Sequence, residues 1–168
     1  MSGVSRSLSG SRRAGGFTII ELVITLAIVA LLATAVLPSA QLMYQRERES
    51  QLRDALRTIR GGIDAYKKAS DTGRIKKDAD KSGYPPDLQT LVDGVEDARN
   101  PKEGTKIYFL RAIPRDPLWP DATTPAVETW ALRSYASPPD APEAGDDVYD
   151  VHTMSPKVGL NGVPYSEW

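Results

Sequence analysis

The chain has 168 residues, with 21 Lys and Arg against 22 Asp and Glu, one His and no Cys. That length holds one compact domain plus an appendage rather than two full domains. A net charge of −1 excludes a generally basic nucleic-acid binder, and the lack of cysteine excludes a disulfide scaffold, a cysteine zinc site and a thiol nucleophile.

Residues 1–16 are rich in Gly and Ser, carry Arg6, Arg12 and Arg13 and hold no acid. Nothing there can pack, and the segment reads as a cationic leader. Phe17 to Leu37 follows, 21 residues of which 17 are Ala, Val, Ile, Leu or Phe, the exceptions being Thr18, Glu21, Thr25 and Thr34. As a helix this run reaches about 31 Å, enough for a hydrocarbon core of about 30 Å. Pro38 closes the run without ending the helix. Beyond it Leu52, Leu56, Ile59, Ile63 and Tyr66 recur at intervals of 4, 3, 4 and 3, an apolar stripe with charged residues elsewhere. Gly61-Gly62 should soften this helix locally, since each Gly costs about 1 kcal/mol relative to Ala. A helix persisting from Phe17 to Lys68 would span roughly 78 Å, a stalk beside a small head.

The head begins near Ser70. Residues 71–87 are polar, punctuated by Gly and Pro, and read as a loop. Pro86-Asp87 can cap a short helix over Leu88, Leu91 and Val92. Residues 106–113, 129–136 and 148–154 mix aromatic and β-branched residues between turn residues and predict strands. The expected fold class is α+β: a long N-terminal helix, transmembrane in its first half, packed on a small antiparallel sheet of about three strands. The boundaries are a leader over 1–16, a membrane helix over 17–38, its amphipathic continuation over 39–69 and a head with an irregular tail over 70–168.

Glu21 is the most informative residue. A carboxylate in an apolar span costs roughly 2.5–3.5 kcal/mol at the helix centre and less near an end. Either it sits hydrated at the interface, or a cation compensates it. Cleavage after Gly16 would supply that cation as a free amine on Phe17, four residues away.

Arg12-Arg13-Ala14-Gly15-Gly16 followed by Phe17-Thr18-Ile19-Ile20-Glu21-Leu22-Val23 resembles the class III signal of type IV pilins and type II secretion pseudopilins. Pro38 falls at the twenty-second position after the cut, where that family commonly has proline. The resemblance implies a prepilin peptidase that cuts between Gly16 and Phe17 and methylates the new amine. It implies that Glu21 pairs with the N-terminus of an adjacent subunit, and that the helix can extend near Pro38 during assembly. For Pro38 an ordinary kink at the membrane surface is the other reading. Three arginines before the span and Arg46, Arg48 and Arg53 after it give no positive-inside asymmetry. The bacterial inner membrane, with leader in the cytoplasm and head in the periplasm, is therefore implied by resemblance alone, as is the pilin-like lollipop shape.

Within the head, Ile113-Pro114-Arg115-Asp116-Pro117 resembles a signature of major pseudopilins of the general secretion pathway. Trp130 to Tyr135, Asp147 to Val151 and Trp168 are also similar to that subgroup, and the disulfide loop usual in type IV pilins is impossible here. Membership would make the chain a structural subunit of a type II secretion pseudopilus, polymerised to push exported proteins through the outer membrane. Its partners would be copies of itself, minor pseudopilins, prepilin peptidase, an inner-membrane assembly platform and the lipid bilayer, with no nucleic acid. The alternatives are a minor pilin-like subunit of a motility or DNA-uptake filament, and a membrane-anchored periplasmic module that binds a metal or ligand.

Major pseudopilins generally hold calcium with acids in the loop after the last strand. Here that segment, Ser155 to Gly162, places Lys157 where a hard oxygen ligand is wanted. Asp140, Glu143, Asp146, Asp147 and Asp150 could supply carboxylates, but a solvated acidic loop explains them too, and no metal or other cofactor is predicted. His152 has no nucleophile or metal-ligand spacing beside it and reads as structural, so no catalytic residue and no enzyme is expected. Charge is segregated: residues 44–68 hold seven basic and four acidic residues, and residues 84–168 hold seven and fourteen. Basic helix faces meeting acidic heads could set a filament register, with Arg46 and Arg48 as test positions.

Overall fold

The computed structural model describes residues 16–78, 80–100 and 105–168, leaving out the side chains of residues 34–39. The leader expected over 1–16 therefore lies outside the described residues, apart from Gly16. The order of elements is α1 (Ile19–Asp71), α2 (Gln89–Asp93), β1 (Val95–Glu96), β2 (Lys106–Ile107), β3 (Trp130–Arg133) and β4 (Asp150–Thr153), with 3₁₀ turns at Ala126–Thr129 and Tyr165–Glu167. The chain divides into two compact units, Met1–Leu42 and Met43–Trp168.

In the first unit, α1 starts on a side-chain cap. The Glu21 amide donates to Thr18 Oγ1 at 3.3 Å, and the Leu22 amide donates to the Thr18 carbonyl at 3.1 Å. A threonine oxygen there satisfies one of the amides that a helix start leaves orphaned. Every residue from Gly16 to Ala33 is exposed. Pro38 lies inside α1, as expected of a proline that does not end the helix.

The second unit is built on the rest of α1. Leu52, Leu56, Ile59, Ile63 and Tyr66 are all buried, with Ala55 and Ala69 beside them. They pack with Leu88, Leu91, Trp130, Val148, Val151 and Tyr165 in one core. The stripe is where the spacing placed it. Gly61-Gly62, however, does not interrupt the helix. A Cβ on Gly62 would lie 2.9 Å from Leu110 Cγ, so this glycine admits a side chain against the helix backbone.

The fold class is α+β, but the strands form two separate antiparallel ladders of two rather than one sheet of about three. The pair β3 and β4 follows the expected segments, with Trp130 opposite Thr153 and Arg133 opposite Asp150. The run expected as a strand over 106–113 stays in a ladder only through Ile107, paired with Val95 of β1. After that the amides of Phe109 and Leu110 both donate to the Leu91 carbonyl, at 3.0 and 2.9 Å. The backbone thereby turns inward to seat Leu110 on Gly62, and prolines at 114, 117, 120 and 125 then prevent a further ladder. The short helix forms as expected, with Asp87 Oδ1 accepting from the Thr90 amide at 2.7 Å.

Candidate functional site

Three of the four site residues read from the sequence come together at the start of α1. Gly16 and Phe17 are exposed and non-helical, before the first helical turn, and Glu21 is exposed within that turn. A peptide bond in such a segment can enter a protease cleft, which a helical bond cannot do without unwinding. A carboxylate in the first turn also faces the positive end of the helix dipole, worth about 0.3–1 kcal/mol at an exposed site. Thr18 was missed by reading Glu21 as a charge alone. Thr18-x-x-Glu21 is also a helix-start pattern, and that spacing was the available signal. Pro38 lies seventeen residues beyond Glu21, and its side chain is outside the described residues.

No helix is long and apolar enough to cross a membrane among the described residues. The stretch of α1 with described side chains before position 34 runs from Ile19 to Ala33, 15 residues, against the roughly 20 a span needs. Of the rest of the span expected over 17–38, Phe17 and Thr18 precede the helix and the side chains of residues 34–38 lie outside the described ones.

In the second unit the residues singled out by sequence hold the structure together. Asp116, 1 % exposed, is the buried anchor of the Ile113–Pro117 segment. Its carboxylate accepts from the Leu118 amide and from the Thr153 hydroxyl of β4, while its amide donates to Thr129 Oγ1. The Pro114 carbonyl accepts from Trp130 Nε1 at 2.8 Å. Arg115 donates to the carbonyls of Asp121 and Thr124. This segment therefore locks a proline-rich loop onto the β3–β4 ladder.

The acidic residues of the 137–150 region are put to several uses. Asp147 accepts from the Ser82 hydroxyl and from the Tyr135 amide. Asp150 pairs with Arg60 at 2.7 Å, and Arg60 also donates to the carbonyls of Val151 and Trp168. Asp140, Glu143 and Asp146 are exposed. No group of three or more His, Asp or Glu is placed to hold a metal ion among the described residues. His152 is half-buried in β4 opposite Ala131. Burial pushes its pKa down and Arg60 adds to that, while Asp150 opposes it.

The tail is braced by packing and hydrogen bonds. The Tyr165 and Trp168 rings meet edge to face at 4.9 Å, and the Trp168 ring lies against Gly159, where a Cβ would come within 2.5 Å. Arg53 lies over the Trp168 ring at 4.3 Å. The unforeseen residue is Glu49, buried on α1 at 4 % exposure. It accepts from the Leu160 amide at 2.8 Å and from the Tyr165 hydroxyl at 2.9 Å. Arg48 is not a free surface cation either. It donates to the Pro117 carbonyl and the Tyr44 hydroxyl, so reversing its charge would disturb the unit itself. Of the two test positions only Arg46 is suitable, being exposed.

Residues 11–37 match the family described as the prokaryotic N-terminal methylation motif. No curated protein and no solved structure matches the chain. The matched segment contains Gly16, Phe17, Thr18 and Glu21 and stops one residue before Pro38. It supports a type IV pilin-like or pseudopilin protein that carries a prepilin-type leader and is processed by prepilin peptidase.

Proposed function

We propose that the chain is the precursor of a structural subunit of a type II secretion pseudopilus. The observation that carries this reading is the start of α1: an exposed Gly16-Phe17 bond, a first-turn Glu21 and an apolar helix that its own unit leaves uncovered. Cleavage turns Phe17 into a chain end with a positive amine, and methylation leaves that charge in place. An ion pair at 4 Å is worth about 4 kcal/mol at an effective dielectric constant of 20. That is enough to offset the roughly 2.5–3.5 kcal/mol that a carboxylate costs in an apolar span. The Glu21 carboxylate thus enters a bundle of apolar helices where a neighbour's amine meets it.

The membrane stores the subunit, and polymerisation exchanges lipid for the apolar faces of other copies. Pro38 removes one backbone hydrogen bond from the helix and gives it a point of extension. The Ile113–Pro117 lock and the absence of cysteine support a secretion subunit over a motility pilin. The head is then periplasmic, the peptidase and assembly platform lie in the inner membrane, and minor pseudopilins complete the filament.

The N-terminal mass of the mature protein tests the reading. Cleavage after Gly16 and one methyl group on Phe17 are expected, and Glu21→Gln should be processed normally yet fail to enter filaments. Retention of residues 1–16 in cells with an active prepilin peptidase would sink the proposal.

A further inference from the structure

The tail of the second unit ends in a hairpin that offers apolar side chains to solvent. Val158 pairs with Pro164 across it, the Gly159 amide donates to the Val163 carbonyl, and the Val163 amide donates to Asn161 Oδ1. Glu49 ties it to the helix through the Leu160 amide. A loop fixed this way by its backbone and Asn161 is not using the side chains of Val158, Leu160 and Val163 to fold. Val158 is 50 % exposed, Leu160 42 % and Val163 36 %, with the exposed Lys157 next to them.

The hairpin also has a definite place. Its Leu160 amide donates to Glu49, and Tyr165, the residue after it, accepts from Gln45, in the first turns of α1 within this unit, where Met43 and Tyr44 are exposed as well. From Glu49 the helix runs another 22 residues to Asp71, about 33 Å, to the opposite end. Only five residues separate Leu37, the last of the apolar run, from Met43. Even fully extended, that stretch of chain spans only about 20 Å. If the apolar run is held in a bilayer, this end of the unit is therefore confined to the headgroup region and the water just beyond it.

We propose that the hairpin 157–164, with Met43 and Tyr44, is a foot that rests on the lipid surface while the subunit is stored in the membrane. The inference depends on the membrane-stored subunit proposed above and adds a second contact with the same bilayer. Its composition suits a lipid interface: short apolar side chains, a tyrosine at headgroup level, and Arg46 and Lys157, whose aliphatic stems can lie on lipid while their charges reach phosphate. The exposed acids nearby are Glu47, bonded to Gln51, and Glu167. The apolar residues are thus the main contact and the cations a trim. A second copy would cover the same residues only once assembly begins, and leaving the membrane would uncover them for it.

The absence of native cysteine makes the test direct. The full chain, carrying one introduced cysteine with a fluorophore, is reconstituted in vesicles of phosphatidylethanolamine and phosphatidylglycerol with headgroup spin-labelled lipid. Label at Leu160→Cys should be quenched, and label at Ala98→Cys, near the far end of the helix, should not. Adding Val158→Asp should reduce quenching at Leu160→Cys to the Ala98→Cys level without changing the melting curve. Equal quenching at Leu160→Cys and Ala98→Cys, in vesicles where label at Leu26→Cys is quenched, would overturn the foot and leave the membrane reading intact. Loss of quenching at Leu26→Cys would overturn both. Shielding of Leu160→Cys that follows protein density and not the spin-labelled lipid would assign the surface to a second copy and overturn the lipid contact.

Discussion

Glu49 holds the tail of the second unit to α1, a role that no apolar pattern makes conspicuous. Its carboxylate is buried on α1 and accepts two hydrogen bonds from the tail, with Arg53 at 3.7 Å. Glu49→Ala would leave the buried Tyr165 hydroxyl without this acceptor, a loss of about 1–3 kcal/mol, and would free the Leu160 amide of the partly exposed hairpin. Thermal denaturation should show a clear fall in Tm for Glu49→Ala and a smaller one for Glu49→Gln, which keeps one acceptor oxygen. Equal melting of Glu49→Ala and the parent would show that the tail is held by packing alone. The sequence did carry a signal: Gln45 and Glu49 continue the stripe of Leu52 and Leu56 at intervals of 4, 3 and 4. Polar residues on an apolar stripe point to buried partners, but a pattern search that counts only apolar residues passes over them.

His152 makes a different prediction at the same scale. Burial lowers its pKa below the ordinary value of about 6.5. The unfolded chain therefore takes up the proton first as pH falls. The stability contributed by the neutral ring is complete above about pH 6.5 and is lost as pH drops through that value toward the folded pKa. Melting curves between pH 7.5 and 5 should show a smaller loss for His152→Gln than for the parent. Parallel declines would show that His152 does not set the acid sensitivity in this range, since carboxylates such as Asp97, whose pKa the Arg74 hydrogen bond holds below the usual range, lose their contribution only at lower pH.

Among the elements, α1 was the most legible and the strands the least. The 4-3-4-3 spacing from Leu52 to Tyr66 identifies a buried face because helical geometry repeats locally, and all five residues are buried. A ladder depends on which distant backbone comes alongside. The run from Lys106 to Ile113 has good strand composition, yet the Leu91 carbonyl captures two of its amides and takes it out of the ladder. The two glycines of α1 show the same limit. Gly61 has nothing within 4 Å of an added Cβ, whereas Gly62 faces Leu110. Gly61→Ala should raise stability by about 0.5–1 kcal/mol through helix propensity. Gly62→Ala should lower it, because the gain in propensity is smaller than the cost of displacing Leu110, about 1–3 kcal/mol for an overpacked core. Opposite shifts in Tm for these neighbours check the packing, and shifts of the same sign would contradict it.

At the scale of the whole molecule, the candidate site was legible because it is a linear motif. Gly16, Phe17 and Glu21 need only their spacing to be recognised, while the assembly of the second unit depends on contacts between residues more than a hundred positions apart, as between Glu49 and Leu160. The two units also differ in what they require. Among the described residues, every member of the buried core lies between Leu52 and Tyr165. The first unit in turn presents Phe17, Ile19 and Leu31 to solvent along with the rest of its apolar residues through Ala33, which is far more apolar surface than a soluble monomer tolerates. A fragment beginning at Met43 should therefore fold alone, stay monomeric and melt in one cooperative transition close to that of the same unit in the full chain. The full chain should need detergent or lipid to remain dispersed. Sedimentation and calorimetry of both proteins check this. A fragment that melts broadly or only at much lower temperature would mean that the first 42 residues contribute to the core after all. That outcome would also weaken the case for a helix free to exchange lipid for neighbouring copies.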